Sequence, residues 1–273
     1  MPHLKSRKRK ILSITGIRSE YDILSSVYRA IQDRAELELE VIVTGAHLSR
    51  MYGLTKKKVE EDGFKIADEI LSLINSDEES ARVKGLGIQL SGMVQTVARV
   101  KPDMLLVLGD REEAMSAALL ASYMNIPLAH ICGGDRVIGN VDDQIRHAVT
   151  KLAHLHFVTN QESYDRVLKL GEQPFRVFNT GNPGLDRLVQ TPTLSHQKLA
   201  ENLKISLKEG EPFLMVIQHS LSSETEDAAR QMEATLEAVT ELGLRTIVIY
   251  PNSDSGGQQI IAAIERYAAQ PNI

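Results

Sequence analysis

Two apolar runs in this sequence each end on glycine and a carboxylate. Met104–Leu108 (MLLVL) leads into Gly109-Asp110-Arg111-Glu112, and Leu128–Ile131 (LAHI) leads into Cys132-Gly133-Gly134-Asp135. A carboxylate so placed can act as a general acid or base, and glycine lets backbone approach a bound ligand closely. Asp142-Asp143-Gln144-Ile145-Arg146-His147 comes next, after residues 136–141. Earlier, Gly16-Ile17-Arg18-Ser19-Glu20-Tyr21-Asp22 offers a tight turn at Gly16, with Arg18 and Ser19 just before a helix start. Helix N-termini and guanidinium groups attract phosphate. Later, Gln218-His219-Ser220 and Pro251-Asn252-Ser253-Asp254-Ser255-Gly256 form a matching pair of polar run ends. That pairing suits a ligand held between two domains.

Each feature also has a plainer reading. Asp110, Ser19 or Asp22 can cap a helix, and His130 can be a satisfied core histidine. Asp142 and Asp143 stand four and three residues before Arg146, so they can pair with it on one helix face. His154 and His156 have a metal-ligand spacing, but no third ligand is evident nearby. The single cysteine, Cys132, rules out an intrachain disulfide and a cysteine-rich zinc site. No metal is therefore expected. Neither GxGxxG nor GxxxxGK[ST] occurs, and no cofactor is expected.

Short apolar runs alternate with helical patterns and would position these groups. Strands are expected at Lys10–Thr15, Leu39–Val43, weakly at Ala67–Leu71, then at Met104–Leu108, Leu128–Ile131, His156–Thr159 and Phe175–Phe178. Helices are expected at Asp22–Arg34, Glu78–Val100, Glu112–Met124, Asp142–Leu155 and Glu162–Leu170. In the long helix, Leu86, Leu90, Met93 and Val97 recur at the spacing of one buried face. This alternation predicts an α/β fold with a doubly wound parallel sheet. In such sheets ligands bind beyond the carboxyl ends of the strands, where the polar loops lie.

The expected domains are 1–185, Rossmann-like, then a connection over 186–211 with one polar helical stretch, then 212–273. The last region holds strands Phe213–Gln218 and Arg245–Tyr250, with helices Glu224–Leu242 and about Gln258–Ala269. Two strands enclose little core, which predicts an incomplete second Rossmann-type domain.

The chain has 273 residues, 42% hydrophobic and 25% charged, with a net charge of −5. A mildly acidic chain lacks the basic face of a nucleic-acid binder. Its apolar stretches are too short to cross a bilayer, and ILSI after the basic start is too short for a signal-peptide core. The expectation is a cytoplasmic enzyme or binding protein without nucleic-acid or membrane partners.

In order, GIRSEYD, GDREEA, AHICGGD, DDQIRHAVTKLAHLHF, GNPGLD, QHS and YPNSDSGG resemble the UDP-N-acetylglucosamine 2-epimerase family, from about Lys10 to the C-terminus. GDRE and the IRHAVTKLAHLHF run favour its hydrolysing branch, since non-hydrolysing relatives tend to read GDT and HVEAG. The resemblance implies a glycosyltransferase-B-like fold of two Rossmann-type domains around a UDP-sugar. It implies removal of the C2 proton with loss of UDP, then hydration to an N-acetylmannosamine-type sugar, as in sialic-acid-type pathways. Asp110 and Asp142 match acid/base positions, and His219 matches a histidine at the leaving phosphate. Arg18 and Arg111 match positions near the diphosphate or sugar, with Glu20, Tyr21, Arg146 and His147 also on the substrate side. Asn252, Asp254 and Ser255 fall on the second-domain face. The family tends to form dimers, so a homodimer is an expectation of the resemblance alone.

Two departures stand out. The family usually reads HIEGGE or HIEGGD, with a catalytic glutamate where this chain has Cys132. A thiol, with an ordinary pKa near ~8.5, is a poor substitute, although Asp135 keeps a carboxylate in the loop. Family members also continue through a serine-rich loop that grips UDP, and nothing like it follows here. The expectation is a C-terminally truncated family member. The alternatives are a non-catalytic sugar-nucleotide-binding remnant or a transferase of similar fold.

Overall fold

The structure is a computed structural model that describes residues 7–76, 78–207 and 210–273. The chain divides into two compact units, residues 1–74 with 80–189, and residues 75–79 with 190–273.

The first unit is built from β1 (Arg9–Thr15), α1 (Arg18–Gln32), β2 (Leu37–Thr44), α2 (Lys56–Glu61), β3 (Ile66–Ile70), α3 (Glu79–Val100) and β4 (Met104–Leu108). It continues with α4 (Glu112–Met124), β5 (Leu128–Ile131), α5 (Val141–Leu152), β6 (Leu155–Val158), α6 (Gln161–Lys169), β7 (Val177–Asn179) and α7 (Gly184–Gln190). Its seven strands lie in the order β3-β2-β1-β4-β5-β6-β7. All neighbours pair in parallel.

Alternate residues of each strand face opposite sides of the sheet. On one side Leu12, Ile14, Leu105, Val107 and Leu128 pack with Met93 and Val97 of α3, Ala117 and Ala121 of α4, and Val149 of α5. On the other, Val41, Val43, Leu106 and Leu108 pack with Tyr21, Leu24 and Tyr28 of α1 and Val59 of α2. Both faces are covered, so MLLVL is apolar at every position.

Several boundaries differ from the sequence expectation. Helix α1 begins at Arg18 rather than Asp22, so Arg18 and Ser19 lie within its first turn. Its N-cap, Ile17, is extended and makes no side-chain cap. The Glu20 carboxylate instead reaches back and accepts from the Gly16 N–H at 2.8 Å. Along α3, Met93 and Val97 are buried as expected, but Leu86 and Leu90 are only half-buried; Ala81, Gly85 and Gln89 line the inner face. Pro174 opens a 3-10 turn over Pro174–Arg176, which delays β7 to Val177.

The second unit contains α8 (His196–Leu203), β8 (Phe213–Ile217), α9 (Ala228–Leu242), β9 (Arg245–Ile249) and α10 (Gly257–Tyr267). Two helices, α7 and α8, thus occupy the stretch expected to hold one. A 3-10 turn over Thr225–Asp227 delays α9 from the expected Glu224. Strands β8 and β9 form a two-stranded parallel sheet. Leu214, Val216 and Val248 pack on Met232, Leu236, Ile260 and Ile264 of the two long helices. Met215 and Ile217, on the opposite face, are exposed.

Two core histidines and two core carboxyls of the first unit contribute in opposite senses to its pH behaviour. Burial pushes His47 and His130 down to about 4. A base whose pKa is lowered on folding stabilises the fold above its unfolded value near ~6.5 and loses that contribution as pH falls toward 4. At about 1.4 kcal/mol per pH unit, each histidine forfeits roughly 3 kcal/mol over that window. Glu20 and Glu113, both pushed up mainly by burial, act in the opposite sense: their contribution is present at low pH and lost as pH rises. Imidazole resonances of His47 and His130 should therefore titrate with midpoints near 4 in an NMR series. A midpoint above ~6 for either would contradict this account.

Candidate active site

The order of the strands reverses between β1 and β4, which places the crevice of the first unit over their carboxyl ends. At the end of β1, the Gly16 carbonyl accepts from the His47 N–H at 3.0 Å. The Glu113 carboxyl packs directly on this glycine. A Cβ at Gly16 would fall 1.7 Å from Glu113 Oε1, so any side chain there would displace the Glu113 carboxyl. Burial pushes Glu20 well up, the Glu113 charge adds to it, and Arg111 opposes it. Glu113 is raised by burial, against the pull of Arg111. Arg111 itself lies 3.6 Å from Glu112 and 3.6 Å from Glu113.

At the end of β4, Gly109 takes a positive φ of 69° and turns Asp110 over the strand end. Arg146 of α5 donates through Nη2 to Asp110 Oδ2. Its Nη1 donates to the Cys132 carbonyl at 3.1 Å and lies 3.6 Å from Asp135 Oδ2. Burial pushes the Arg146 guanidinium down to about 10, so it stays charged at neutral pH. Among the described residues, Asp110 Oδ1 accepts no hydrogen bond. Asp135 Oδ1 accepts from Thr159 Oγ1 at 2.5 Å and Ser163 Oγ at 2.6 Å.

Asp142 belongs to a second cation. Arg82 of α3 lies 3.5 Å from Asp142 and also donates to Glu112. Burial would raise Glu112, but Arg111 and Arg82 outweigh it and hold this carboxyl below its ordinary range. Asp110 and Asp142 thus face different arginines.

The expected pairs of Asp142 and Asp143 with Arg146 do not form, because Arg146 turns inward to the strand ends. Asp143 instead accepts from the Val137 N–H at 2.9 Å and lies 3.9 Å from Arg136 and from His147. His130 is a satisfied core histidine. Its Nε2 lies 2.7 Å from the Gly109 carbonyl, and its Nδ1 lies 3.2 Å from Thr150 Oγ1. A carbonyl only accepts, so Nε2 carries the proton and Nδ1 accepts. His154 and His156 do not converge: His154 accepts from the Leu128 N–H, and His156 faces Glu172 at 3.3 Å. Among the described residues, no group of three or more His, Cys, Asp or Glu side chains is arranged to hold a metal ion.

Cys132 is buried and adopts a positive φ of 60°, unusual for a residue with a side chain. Burial, then the nearby Asp135 charge, pushes its thiol up to about 12. The glycines that follow have steric roles. A Cβ on Gly134 would stand 2.5 Å from the Ser163 carbonyl oxygen.

The remaining substrate-side candidates are spread more widely. Arg18 is 69% exposed and lies 3.8 Å from Asp22. Tyr21 is in the core, where its hydroxyl donates to Asp62 at 2.5 Å and its ring meets Tyr28, His47 and Phe64. In the second unit, His219 Nδ1 accepts from the Asn252 N–H at 3.2 Å. Asn252 donates through Nδ2 to Asp254 at 2.6 Å, and Ser255 offers its carbonyl to the Ser220 hydroxyl at 2.5 Å. The matched strand ends therefore do meet. Arg82, Glu113, Thr159 and Ser163 also shape the first unit's cluster, and the sequence reading did not single them out. Glu113 had a signal in GDREEA, whereas the others sit on distant elements.

A family pattern described as UDP-N-acetylglucosamine 2-epimerase matches residues 29–273. The UDP-N,N'-diacetylbacillosamine 2-epimerase (hydrolyzing) of Legionella pneumophila is 32% identical over 265 residues, spanning 97% of this chain and 70% of that protein. The GDP/UDP-N,N'-diacetylbacillosamine 2-epimerase (hydrolyzing) of Campylobacter jejuni is 33% identical, spanning 95% of this chain and 67% of that protein. Among solved structures, the UDP-GlcNAc 2-epimerase from Neisseria meningitidis bound to UDP-GlcNAc superposes with a TM-score of 0.78 at 17% identity. That match covers 96% of this chain and 71% of the other. The fold is glycosyltransferase-B-like α/β, as the resemblance implied.

The Cys132 thiol should react slowly with thiol reagents. Its raised pKa leaves little thiolate at pH 8, so Ellman's reagent should modify it at least ~100-fold more slowly than free cysteine in the folded chain. Modification at the free-cysteine rate would show that the thiolate is accessible.

Proposed function

The chain belongs to the UDP-N-acetylglucosamine 2-epimerase family, and from that premise we propose that it is a hydrolysing 2-epimerase of a UDP-linked 2-acetamido sugar. The observation that carries the reading is the Asp110 carboxylate. One of its oxygens is clamped by Arg146 and the other is open, at the switch point of a parallel sheet. Such a group can take a proton from a substrate carbon without reorganising.

The reaction we assign runs in two halves. A base removes the proton at C2. The electrons of that C–H bond form the C1=C2 double bond as the C1–O bond breaks, and UDP leaves with its electron pair. Water then supplies hydroxyl to C1 of the 2-acetamidoglucal, and C2 receives a proton on the opposite face. The product is an N-acetylmannosamine-type sugar. Two proton-handling groups are needed, and Asp110 and Asp142 are the pair we assign. Cys132 is a poor third, since its thiol is buried and held in the neutral form. Asp135, with Thr159, Ser163 and Arg146 as partners, supports the site. We assign Arg18 of the first unit to the sugar nucleotide; His219, Asn252, Asp254 and Ser255 form a separate polar cluster within the second unit that we also assign to substrate. The names of the Legionella and Campylobacter relatives support a 2,4-diacetamido sugar as one substrate to be tried.

We also propose a cytoplasmic homodimer, on the family pattern. Among the described residues, no helix is long and apolar enough to cross a membrane.

The test is incubation in D2O with UDP-N-acetylglucosamine and, separately, with its 2,4-diacetamido counterpart. The expected products are UDP and a C2-deuterated mannosamine-type sugar. Asp110→Asn should lower kcat by ~100-fold or more with the fold intact. If the wild-type chain released neither UDP nor sugar from either substrate, the enzymatic reading would fail.

A further inference from the structure

Arg146 is only 11% exposed, and its fork is turned toward protein on both prongs. One prong binds Asp110, and the other binds the Cys132 carbonyl and faces Asp135. Its Nε is buried without a hydrogen-bond partner. A guanidinium that serves a phosphate presents its planar fork outward. Arg18, by contrast, is 69% exposed.

We propose that Arg146 is a positioning residue: it holds Asp110 as an ionised base with one open oxygen, and Asp135 moors it in turn. It does not contact the diphosphate. The role in turnover rests on the epimerase reading; the link between Arg146 and Asp110 does not.

The mooring is explicit. Asp135 uses Oδ2 toward Arg146 and Oδ1 toward the Thr159 and Ser163 hydroxyls, so both oxygens are engaged. The cluster ties the loop after β4 to the loop after β5 through a side chain of α5. The other charged or titratable groups on the packed elements are Arg111, Glu112 and Glu113 at the start of α4, and Asp142, Asp143 and His147 on α5. Arg82 on α3, and His130 and Cys132 around β5, complete the set. Arg82 pairs with Glu112 and Asp142, and His130 bonds the Gly109 carbonyl, so neither replaces Arg146 on Asp110. Lysine offers a point charge and cannot bridge Asp110, a carbonyl and Asp135 with one planar fork.

The experiment compares the full-length wild type with Arg146→Gln and Arg146→Lys. Carbon-13 NMR follows the Asp110 carboxyl, assigned with Asp110→Asn, and steady-state kinetics with UDP-N-acetylglucosamine run in parallel. Loss of the cation should raise the Asp110 midpoint in Arg146→Gln by ~1–3 pH units, and with it the acidic limb of kcat/KM. The limb moves upward because the base works only when ionised. The variant's kcat should fall ~10-fold or more while KM stays within about twofold. Arg146→Lys should recover the midpoint in part, and millimolar guanidinium should recover kcat in Arg146→Gln.

A rise in KM with kcat, limb and midpoint unmoved would make Arg146 a ligand contact and overturn the proposal. An unmoved midpoint alone would also overturn it. If the wild type turns over no sugar nucleotide but the midpoint moves, the epimerase reading fails and the Arg146–Asp110 link stands. Should Arg146→Gln not fold, the midpoint in Arg146→Lys decides: a rise supports the proposal, and identity with wild type sinks it.

Discussion

Parallel pairing of β1 with β4 is the constraint from which the candidate site follows. Ile11, Leu12 and Ser13 pair with Met104, Leu105 and Leu106, so both chains run out at the same edge of the sheet. The connection from β1 goes to β2 on one side, and that from β4 goes to β5 on the other. The two loops part over the shared edge and leave a crevice. Gly16 and Gly109 stand at its lip, and each meets a steric or conformational demand that only glycine satisfies well. A sheet with antiparallel strands would send half of these loops to the far edge. The carboxylates would then share no face.

Much of the scaffold was legible because burial on both faces writes itself into composition. MLLVL has no polar position, and LAHI admits only His130, whose two nitrogens are both satisfied inside the sheet. The α/β alternation follows from such runs. Helix starts were harder. Ile17 occupies the N-cap of α1 without a capping side chain, and Glu20 bonds back to Gly16 from inside the helix, so neither Ser19 nor Asp22 marks the start. The delay of β7 had a visible cause in Pro174, but a proline that opens a 3-10 turn and one that opens a strand look alike in sequence.

The site was legible by position and not by partner. Asp110 and Asp135 were each marked by their place after an apolar run, and Asp142 by the charged stretch that follows the loop after the second of those runs. Their cations were not. At a spacing of four, Asp142 and Arg146 are as good a helix-surface pair as any, and local spacing alone favours that pairing. The preference is overturned by burial. Arg146 faces into the strand ends, where a cluster of acceptors is available, and Asp142 is left for Arg82, which lies on α3 and carries no motif. Choices of this kind depend on how helices pack, which residue types do not record.

The distribution of acids in the first unit then has a common logic. Five carboxyls crowd the ends of β1 and β4, and a low-dielectric pocket cannot hold five negative charges at once. Two of them, Glu20 and Glu113, are pushed up by burial, and they have Arg111 in common as their opposing cation. Glu112 lies between Arg111 and Arg82 and is held down. Asp110 has Arg146, and Asp142 has Arg82. Arginine is suited to this because it stays charged where a buried lysine would lose its proton. The placement of the arginines thus gives these carboxyls different surroundings. On this view Glu20 and Glu113 are structural acids that hold the Gly16 turn, and burial pushes both of them up. Asp110 and Asp142, each set against an arginine, are the pair assigned above to proton exchange with a substrate, and environment sets the difference where residue type does not.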